Sequence, residues 1–339
     1  MNTPQIVQLY KEELERGLAD ALRSPTLQPD EARDGDPLYP ILRYHVGLCD
    51  EKGLAEKALG KMLRPSLLLF ITQELGGEVE CALPAAIALE LVHNFSLIHD
   101  DIQDHDELRR GRPTVWKLIG VAQAINAGDL MYSLAIKHAL LSGHDAVKSI
   151  IDAATAMIEG QALDLTFEDR WVDTQSYMGM IDKKTGALIC CAFDTGGIIS
   201  GVGADVLDVL TSLGRDLGRA FQITDDLLGV WGNGDVTGKP KGSDIRRKKK
   251  SFPVALAMQR GDEEGRTLLE RVYAQDEISD NDVTRVVSLM ARLDVRKSGE
   301  AAVEGHLKKA SASLEYLPLS KEGKEMMHEL IAYLARRKK

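Results

Sequence analysis

Two groups of acidic residues have the types and spacing that could bind a metal ion. In the first, Asp100, Asp101 and Asp104 form the pattern DDxxD within LIHDDIQDHDELRRGRPTVW. If this segment is helical, Asp100 and Asp104 lie one turn apart on one face, where like charges destabilise an isolated helix. A magnesium ion would relieve this repulsion, because it prefers one or two carboxylates together with waters and substrate phosphates. A solvated acidic helix end followed by a basic patch explains this first group equally well.

The second acidic group lies in AFQITDDLLGVWGNGDVTGKPKGSDIRRKKKS, where Asp225 and Asp226 follow an apolar segment and precede a loop rich in Gly and Lys. Paired aspartates near a helix C-terminus are disfavoured by the macrodipole, which favours cations there. A helix end with a solvated basic loop is the simpler interpretation of this group alone. Both groups, however, repeat one order of apolar helix, acidic pair and cationic run. Together they predict two sets of carboxylates that face one diphosphate–metal cluster.

The elements that must position these residues are predicted to be α-helices. Long segments rich in Ala and Leu carry apolar residues three and four positions apart, whereas alternating runs of β-branched residues are scarce. Short breaks rich in Gly, Asp or Pro separate these segments, and none is long enough for a domain linker. The segment AAIALELVHNFSLI is apolar nearly all round, which is typical of the interior of a large bundle. The sequence therefore predicts an all-α fold with a single domain spanning residues 1–339.

Composition and charge argue against several other classes of protein. The chain has 339 residues, 44% of them hydrophobic, and its net charge of −10 does not suit a general nucleic-acid binder, which needs a basic surface. No apolar run reaches the roughly 18–20 residues of a transmembrane segment, and the N-terminus lacks the apolar core of a signal peptide. A cytoplasmic protein is therefore expected. The four cysteines are too scattered for a disulfide framework or a zinc site, so buried, reduced thiols are expected.

Six motifs in a fixed order resemble those of the trans-prenyl diphosphate synthase family, also called polyprenyl synthetases. They are GKMLRP (60–65), HNFSLIHDDIQDHDELRRGRPTVW (93–116), GQALDLTFE (160–168), KKTGAL (183–188), FQITDDLLG (221–229) and GKPKGSD (238–244). The resemblance implies an isoprenoid synthase-type helical bundle around a central cavity, assembled as a homodimer. It also implies a reaction that joins isopentenyl diphosphate to an allylic diphosphate.

The resemblance assigns roles to individual residues. Asp100 and Asp104 would ligate two of three magnesium ions, with Asp101 supporting them, and Asp225 would bind the remaining ion. The whole catalytic set is Asp100, Asp101, Asp104, Lys184, Asp225 and Asp226. The residues implied to bind isopentenyl diphosphate are Lys61, Arg64, His93 and Arg110. Those implied to bind the allylic diphosphate are Arg109, Lys184, Thr185, Gln222, Lys239 and Lys249.

Other polar residues of the motifs receive weaker assignments. Gln161 and Asp164 are expected near the cavity, whereas His99 is expected to be a packed structural residue. Two positions depart from the family pattern: Gly229 stands where the second motif usually ends in a third aspartate, and Met62 replaces an arginine. Activity is expected to survive the first change, because the leading aspartate is retained, although a water-mediated contact can be lost. Isopentenyl diphosphate is expected to bind despite the second.

The implied chemistry is electrophilic chain elongation. Magnesium and cationic residues would neutralise the allylic diphosphate so that its C–O bond breaks, and an apolar cavity would shield the resulting cation from water. A terpene cyclase also ionises a diphosphate through DDxxD, but it needs no site for isopentenyl diphosphate. A non-catalytic subunit of a heteromeric synthase usually has eroded aspartate motifs, and here the first motif is intact.

The residues before the first motif suggest a limit on product length. The growing chain should run along the helix towards residues one and two turns earlier, which include Ser96, Phe95 and Val92. The resemblance implies that a bulky side chain five positions before the first aspartate closes the pocket, and Phe95 has that position. Because Ser96 beside it is small, a C20 product, geranylgeranyl diphosphate, is favoured. Farnesyl diphosphate or a longer product is the alternative.

Overall fold

The helical fold predicted from the sequence is confirmed. The structure is a computed structural model, and it describes residues 4–23, 38–56, 58–232 and 241–336. Within these ranges the regular secondary structure is helical, apart from an isolated bridge between Cys49 and Ala55 and one short hairpin. In the hairpin, β1 (Leu108–Arg109) pairs antiparallel with β2 (Arg112–Pro113).

The described residues form α-helices that follow one another along the chain. They are α1 (Gln5–Leu9), α2 (Lys11–Ala21), α3 (Leu38–Val46), α4 (Leu63–Glu74), α5 (Val79–Gln103), α6 (Val115–Ile119), α7 (Val121–Ala139), α8 (His144–Glu168), α9 (Thr174–Ile181), α10 (Ala187–Ile199), α11 (Ala204–Trp231), α12 (Ser243–Arg246), α13 (Phe252–Arg260), α14 (Glu263–Tyr273), α15 (Asp280–Arg292), α16 (Val295–Leu314) and α17 (Lys321–Arg336). A 3₁₀ turn (Leu140–Ser142) follows α7, and a π-helical turn (Asp182–Gly186) joins α9 to α10.

The chain divides into two compact units. The first comprises Met1–Asp152 and Cys191–Leu207, and the second comprises Ala153–Cys190 and Asp208–Lys339. In the second unit α13 packs against α9, α14 and α16, and α17 packs along α16. The expectation of a single domain around a central cavity stays a prediction.

Helix α5 forms the centre of the first unit, where it packs along α4 and α7. Its middle is buried all round, as the apolar segment predicted, and Ala85, Leu89 and Val92 have no exposed surface. By length and composition α5 could cross a membrane, but 67% of its most apolar window is buried inside the protein. Core helices commonly combine these properties, so α5 is weak evidence for a membrane span.

The four cysteines are free thiols, as expected, but not all of them are buried. Cys49 and Cys191 are buried and Cys190 is half-buried, whereas Cys81 is exposed. The exposure of Cys81 corrects the expectation for that residue. It lies in the first turn of α5, where the helix begins at the surface.

Helices α5 and α7 approach closely at Gly128. A Cβ added there would overlap the His99 imidazole, whose Nε2 lies 3.3 Å from the Ile125 carbonyl oxygen. The ring of His99 also packs edge-on against Phe95, with 5.6 Å between the ring centroids. These contacts give His99 the structural role that the sequence predicted.

We expect Gly128→Ala to lower the free energy of unfolding by about 1–3 kcal/mol, because the added methyl group overpacks the interface of α5 and α7. Gly305→Ala is the matched control, since a Cβ at Gly305 in α16 would meet no atom within 4 Å. That control should gain up to about 1 kcal/mol from helix propensity. Urea unfolding of both variants measures the difference, and equal effects would contradict the packing argument.

Candidate active site

The first aspartate motif lies at the C-terminal end of α5, in the first unit. Asp100 and Asp104 are half-buried and one turn apart, as their spacing predicted, and Asp104 is the C-cap of the helix. Asp101 is only 1% exposed. Each of its carboxylate oxygens accepts a hydrogen bond of 2.9 Å from Arg109 Nε, and Arg109 Nη2 lies 2.7 Å from Oδ1. The ion pair satisfies the buried carboxylate of Asp101, and the supporting role at the metal site stays a prediction.

The same ion pair fixes the hairpin that follows α5. Burial raises the pKa of Asp101, and the hydrogen bond and charge of Arg109 oppose that rise. Arg110 and Gly111 form the hairpin turn with positive φ angles of 54° and 77°. Because the guanidinium of Arg109 already binds a carboxylate, its predicted role at the allylic diphosphate stays a prediction.

Three of the four residues assigned to isopentenyl diphosphate, Arg64, His93 and Arg110, lie close enough in the first unit for the two arginine charges to lower the pKa of the histidine. Burial lowers the pKa of His93 well below its usual value, and the charges of Arg64 and Arg110 lower it further. A Cβ added to Gly60 would lie 2.9 Å from Arg110 Nη2. Gly60 therefore packs directly against the Arg110 guanidinium, and the exposed Lys61 is the next residue in the chain. The first unit thus contains a cationic surface suited to a diphosphate.

Three polar residues beside this cationic surface were not predicted from the sequence. Glu90 is 7% exposed, and its carboxylate accepts a 2.9 Å hydrogen bond from Asn94 Nδ2. Burial raises the pKa of Glu90, while Arg64 and Arg110 act in the opposite direction. Asn94 and His45 line a cavity of about 130 Å³ next to Arg110. The only signal for Glu90 and Asn94 was their polarity within an apolar helix.

The predicted length-determining residues lie on α5, and a neighbouring helix adds to them. Val92 is fully buried and Phe95 is 6% exposed. The Phe95 ring packs against Tyr132 of α7 with a centroid separation of 5.0 Å. Ser96 donates a hydrogen bond of 2.7 Å to a backbone carbonyl three residues earlier. Tyr132 was missed, because nothing in the sequence shows which face of α7 meets α5.

In the second unit, two residues assigned to the allylic diphosphate, Thr185 and Gln222, form a hydrogen-bonded network with Asp226. Thr185 Oγ1 donates to Gln222 Oε1 at 2.7 Å, and Gln222 Nε2 donates to Asp226 Oδ1 at 2.9 Å. Lys184 forms an ion pair with Asp164. Lys184 and Thr185 belong to the π-helical turn, a local geometry that is frequent at functional sites. The structure therefore brings Lys184, Thr185 and Gln222 to neighbouring elements of one unit.

The two aspartates of the second motif have different surroundings near the end of α11. Asp226 is 4% exposed, and its Oδ2 accepts hydrogen bonds from Tyr177 Oη at 2.5 Å and from Phe252 N at 3.0 Å. Burial raises the pKa of Asp226 to about 7 against the lowering effect of these donors. Asp225 is half-buried. Asp226 thus holds α9, α11 and the start of α13 together, a contribution that the sequence did not indicate.

Of the two later lysines predicted to bind the allylic diphosphate, Lys249 belongs to the described residues. Lys239 lies outside the described residues. Lys249 is half-buried; its backbone N–H donates to Asp244 O at 2.9 Å, and its carbonyl accepts from Tyr273 Oη at 3.3 Å. Its neighbour Lys248 has a positive φ of 55°.

Carboxylate oxygens are donor atoms that magnesium prefers, so the pair Asp100 and Asp104 at the end of α5 fits this metal, and Asp225 on α11 has the same donor chemistry. Among the described residues no group of three or more His, Cys, Asp or Glu side chains could hold a metal ion. Magnesium does not need such a cluster, because this ion usually keeps several waters and binds substrate phosphates as well.

Comparison with known proteins assigns the chain to a family. The family model described as polyprenyl synthetase matches residues 54–290. The chain is 38% identical over 302 residues to a farnesyl diphosphate synthase of Mycobacterium bovis, which covers 86% of this chain and 84% of that protein. It is 35% identical to a geranylgeranyl diphosphate synthase of Mycobacterium tuberculosis, over 83% of this chain and 82% of that one.

A solved structure gives the same result. A polyprenyl synthetase from Streptomyces coelicolor superposes with a TM-score of 0.87 and 32% identity, covering 98% of this chain and 99% of the other. The protein is therefore a trans-prenyltransferase with an all-α fold. It belongs to the polyprenyl synthetase family, which confirms the resemblance seen in the motifs.

We expect an acid-sensitive contribution to stability from His45, whose pKa is lowered to about 3 by burial and then by nearby arginines. Between about pH 6.5 and pH 3 the unfolded state binds a proton that the folded state does not. The contribution of His45 to the free energy of unfolding should therefore fall as the pH falls, by up to about 1.4 kcal/mol per unit, whereas the raised pKa of Asp226 acts in the opposite direction.

Urea unfolding at several pH values between about 7 and 5 measures this slope. His45→Gln should remove the contribution of His45, so that the slope differs from that of the wild type by up to about 1.4 kcal/mol per pH unit. His144→Gln is the control and should keep the wild-type slope, because the His144 side chain is 90% exposed. A wild-type slope in His45→Gln would show that His45 is not the group that titrates.

Proposed function

We propose that this enzyme condenses isopentenyl diphosphate with an allylic diphosphate (dimethylallyl, geranyl or farnesyl diphosphate) and releases pyrophosphate. The main product is geranylgeranyl diphosphate. The observation that carries the proposal lies within the first unit, where one face of α5 ends in Asp100 and Asp104 and the cationic surface of Arg64 and Arg110 acts on His93. A terpene cyclase needs the carboxylates but not the cationic surface.

Each group of residues has one task in the proposed reaction. Lys184, Thr185 and Gln222 hold the allylic diphosphate, and Lys61, Arg64 and Arg110 hold isopentenyl diphosphate. When bound, magnesium neutralises the charge that develops on the leaving diphosphate. The allylic C–O bond breaks and its electron pair leaves with pyrophosphate. The double bond of isopentenyl diphosphate then forms the new C–C bond, and the departed pyrophosphate accepts the released proton.

Farnesyl diphosphate is the second candidate product. Tyr132 packs against Phe95, so two aromatic rings rather than one stand beyond the first motif. The relative named farnesyl diphosphate synthase is 38% identical, and the one named geranylgeranyl diphosphate synthase is 35% identical. The small Ser96 beside Phe95 favours the longer product.

A homodimer and three magnesium ions per site are part of the proposal, as is a cytoplasmic location. The homodimer is supported by apolar side chains on the surface of the first unit. Leu118, Val121 and Ile125, in α6 and at the start of α7, are 37%, 47% and 44% exposed. Exposed apolar patches of this kind commonly mark protein–protein contacts.

We expect the purified chain to convert isopentenyl diphosphate and an allylic primer only with magnesium or manganese. Asp100→Ala should lower turnover by at least about 10²–10³-fold, comparable to removal of one charge-stabilising group. Asp145→Ala is the control, because Asp145 is 80% exposed at the start of α8. Radiolabelled isopentenyl diphosphate measures turnover. Near-wild-type activity of Asp100→Ala would refute the ligand assignment, and an inactive wild type would refute the function.

We expect Phe95→Ala to lengthen the products, because it removes one of the two rings that close the space beyond the first motif. Tyr132→Ala should act in the same direction, whereas Phe95→Leu keeps more bulk and should change the products less. Chromatography of the dephosphorylated prenols gives the chain lengths. If all three variants gave the product distribution of the wild type, other residues would limit the chain length.

A further inference from the structure

The π-helical turn that carries Lys184 and Thr185 is joined to α11 by two side-chain contacts with matching spacing. One is an ion pair between Asp182, the first residue of the turn, and Arg219 of α11. The other is the hydrogen bond from Thr185 to Gln222. The two contacts are three residues apart in the turn and three residues apart on α11. The turn is therefore joined to the same face of α11 at two points.

The ion pair between Asp182 and Arg219 is bidentate. Arg219 Nε donates to Asp182 Oδ1 at 2.7 Å, and Arg219 Nη2 donates to Asp182 Oδ2 at 2.6 Å. The hydrogen bond from Asp182 raises the pKa of Arg219, against the lowering effect of burial. Asp216, three residues earlier on α11, lies 2.7 Å from His306 Nδ1 instead. Two parallel hydrogen bonds between planar groups define the orientation of the turn as well as its distance from α11.

Backbone packing brings the turn close to α8 and α11. A Cβ added at Gly218 of α11 would lie 3.0 Å from Gly186 Cα. A Cβ added at Gly160 of α8 would overlap the backbone nitrogen of Lys184. Glycine permits this close approach on both sides. Packing thus sets how near the turn lies to the two helices, and the bidentate ion pair adds a directional contact that defines its position along α11.

We propose that Arg219 is a positioning residue for the allylic diphosphate. By binding Asp182 it fixes the π-helical turn, so that Lys184 and Thr185 reach the same diphosphate as Gln222. This inference rests on the proposed function, in which these three residues hold the allylic substrate. Arg219 acts through the turn and need not touch the substrate. A π-helical turn is rare and needs support from its neighbours, and a misplacement of about 1 Å in a group that holds substrate can cost about 10²-fold in rate.

The test reverses the charges of the ion pair. Arg219→Glu, Asp182→Lys and the double variant with both changes are compared with the wild type. Arg219→Lys keeps the charge but loses the two parallel donors of the guanidinium. Arg215→Glu is the matched control, because Arg215 is an exposed arginine one turn earlier on α11. The first readout is the hydrogen-exchange rate of the backbone amides of residues 182–186 without any substrate. The second is the KM for each of the two substrates.

We expect Arg219→Glu and Asp182→Lys to raise the KM for the allylic diphosphate by about 10–100-fold. The KM for isopentenyl diphosphate should stay close to that of the wild type, and the amides of residues 182–186 should exchange faster. The double variant should recover most of both losses, because it restores an ion pair of opposite polarity. Arg219→Lys should lie between the wild type and Arg219→Glu, and Arg215→Glu should behave as the wild type.

A wild-type KM for the allylic diphosphate in Arg219→Glu would overturn the inference. An equal rise in both KM values would also overturn it, because it would indicate a general loss of structure. If a charge reversal prevents folding, the KM values of Arg219→Lys decide in the same way. Failure of the proposed function is distinguishable. A wild type that forms no prenyl product would refute the function, and the exchange rates of residues 182–186 would still show whether Arg219 fixes the turn.

Discussion

The burial of carboxylates at the ends of apolar helices is the constraint on which both units depend. A carboxylate without partners inside a protein costs several kcal/mol, so each buried aspartate needs donors close by. Asp101 obtains them from Arg109, and this ion pair determines how the chain leaves α5 and forms the hairpin. Asp226 obtains them from Tyr177, Gln222 and Phe252, which lie on or next to three separate helices.

In both motifs the two adjacent aspartates differ in burial in the same way. In each pair one residue is buried and bound by donors of the protein, and the other is half-buried: Asp101 with Asp100, and Asp226 with Asp225. Neighbouring residues on a helix point about 100° apart, so a helix packed on one side produces this division. The buried member sets the position of the helix end, and its neighbour keeps part of its surface exposed. Each pair therefore combines one aspartate that stabilises the helix end with one that we propose to bind metal.

The sequence predicted the parts of the structure that depend on local pattern. Helix content follows from apolar spacing, and the face shared by Asp100 and Asp104 follows from helical geometry alone. The donors to Asp226, the Tyr132 ring against Phe95 and the carboxylate of Asp244 beside Gly229 were not predicted. These contacts join residues far apart in the chain, and helical periodicity does not say which helices become neighbours. For Gly229, the sequence showed a missing side chain, and the structure shows that the Asp244 carboxylate lies against this glycine.

Most of the strained backbone lies close in sequence to the residues proposed to bind substrate and metal. Five non-glycine residues among those described have positive φ, namely Met62, His105, Arg110, Lys248 and Asp294. The first four adjoin or belong to the proposed substrate- and metal-binding residues, and only Asp294 lies away from them. A left-handed conformation costs a non-glycine residue on the order of 1–3 kcal/mol, and it persists where surrounding contacts enforce it. At Arg110 such contacts include the close approach of its guanidinium to Gly60, where an added Cβ would lie only 2.9 Å from Nη2. Preorganised cations lose less entropy when they bind a ligand, so under the proposed function this strain favours diphosphate binding at the expense of stability.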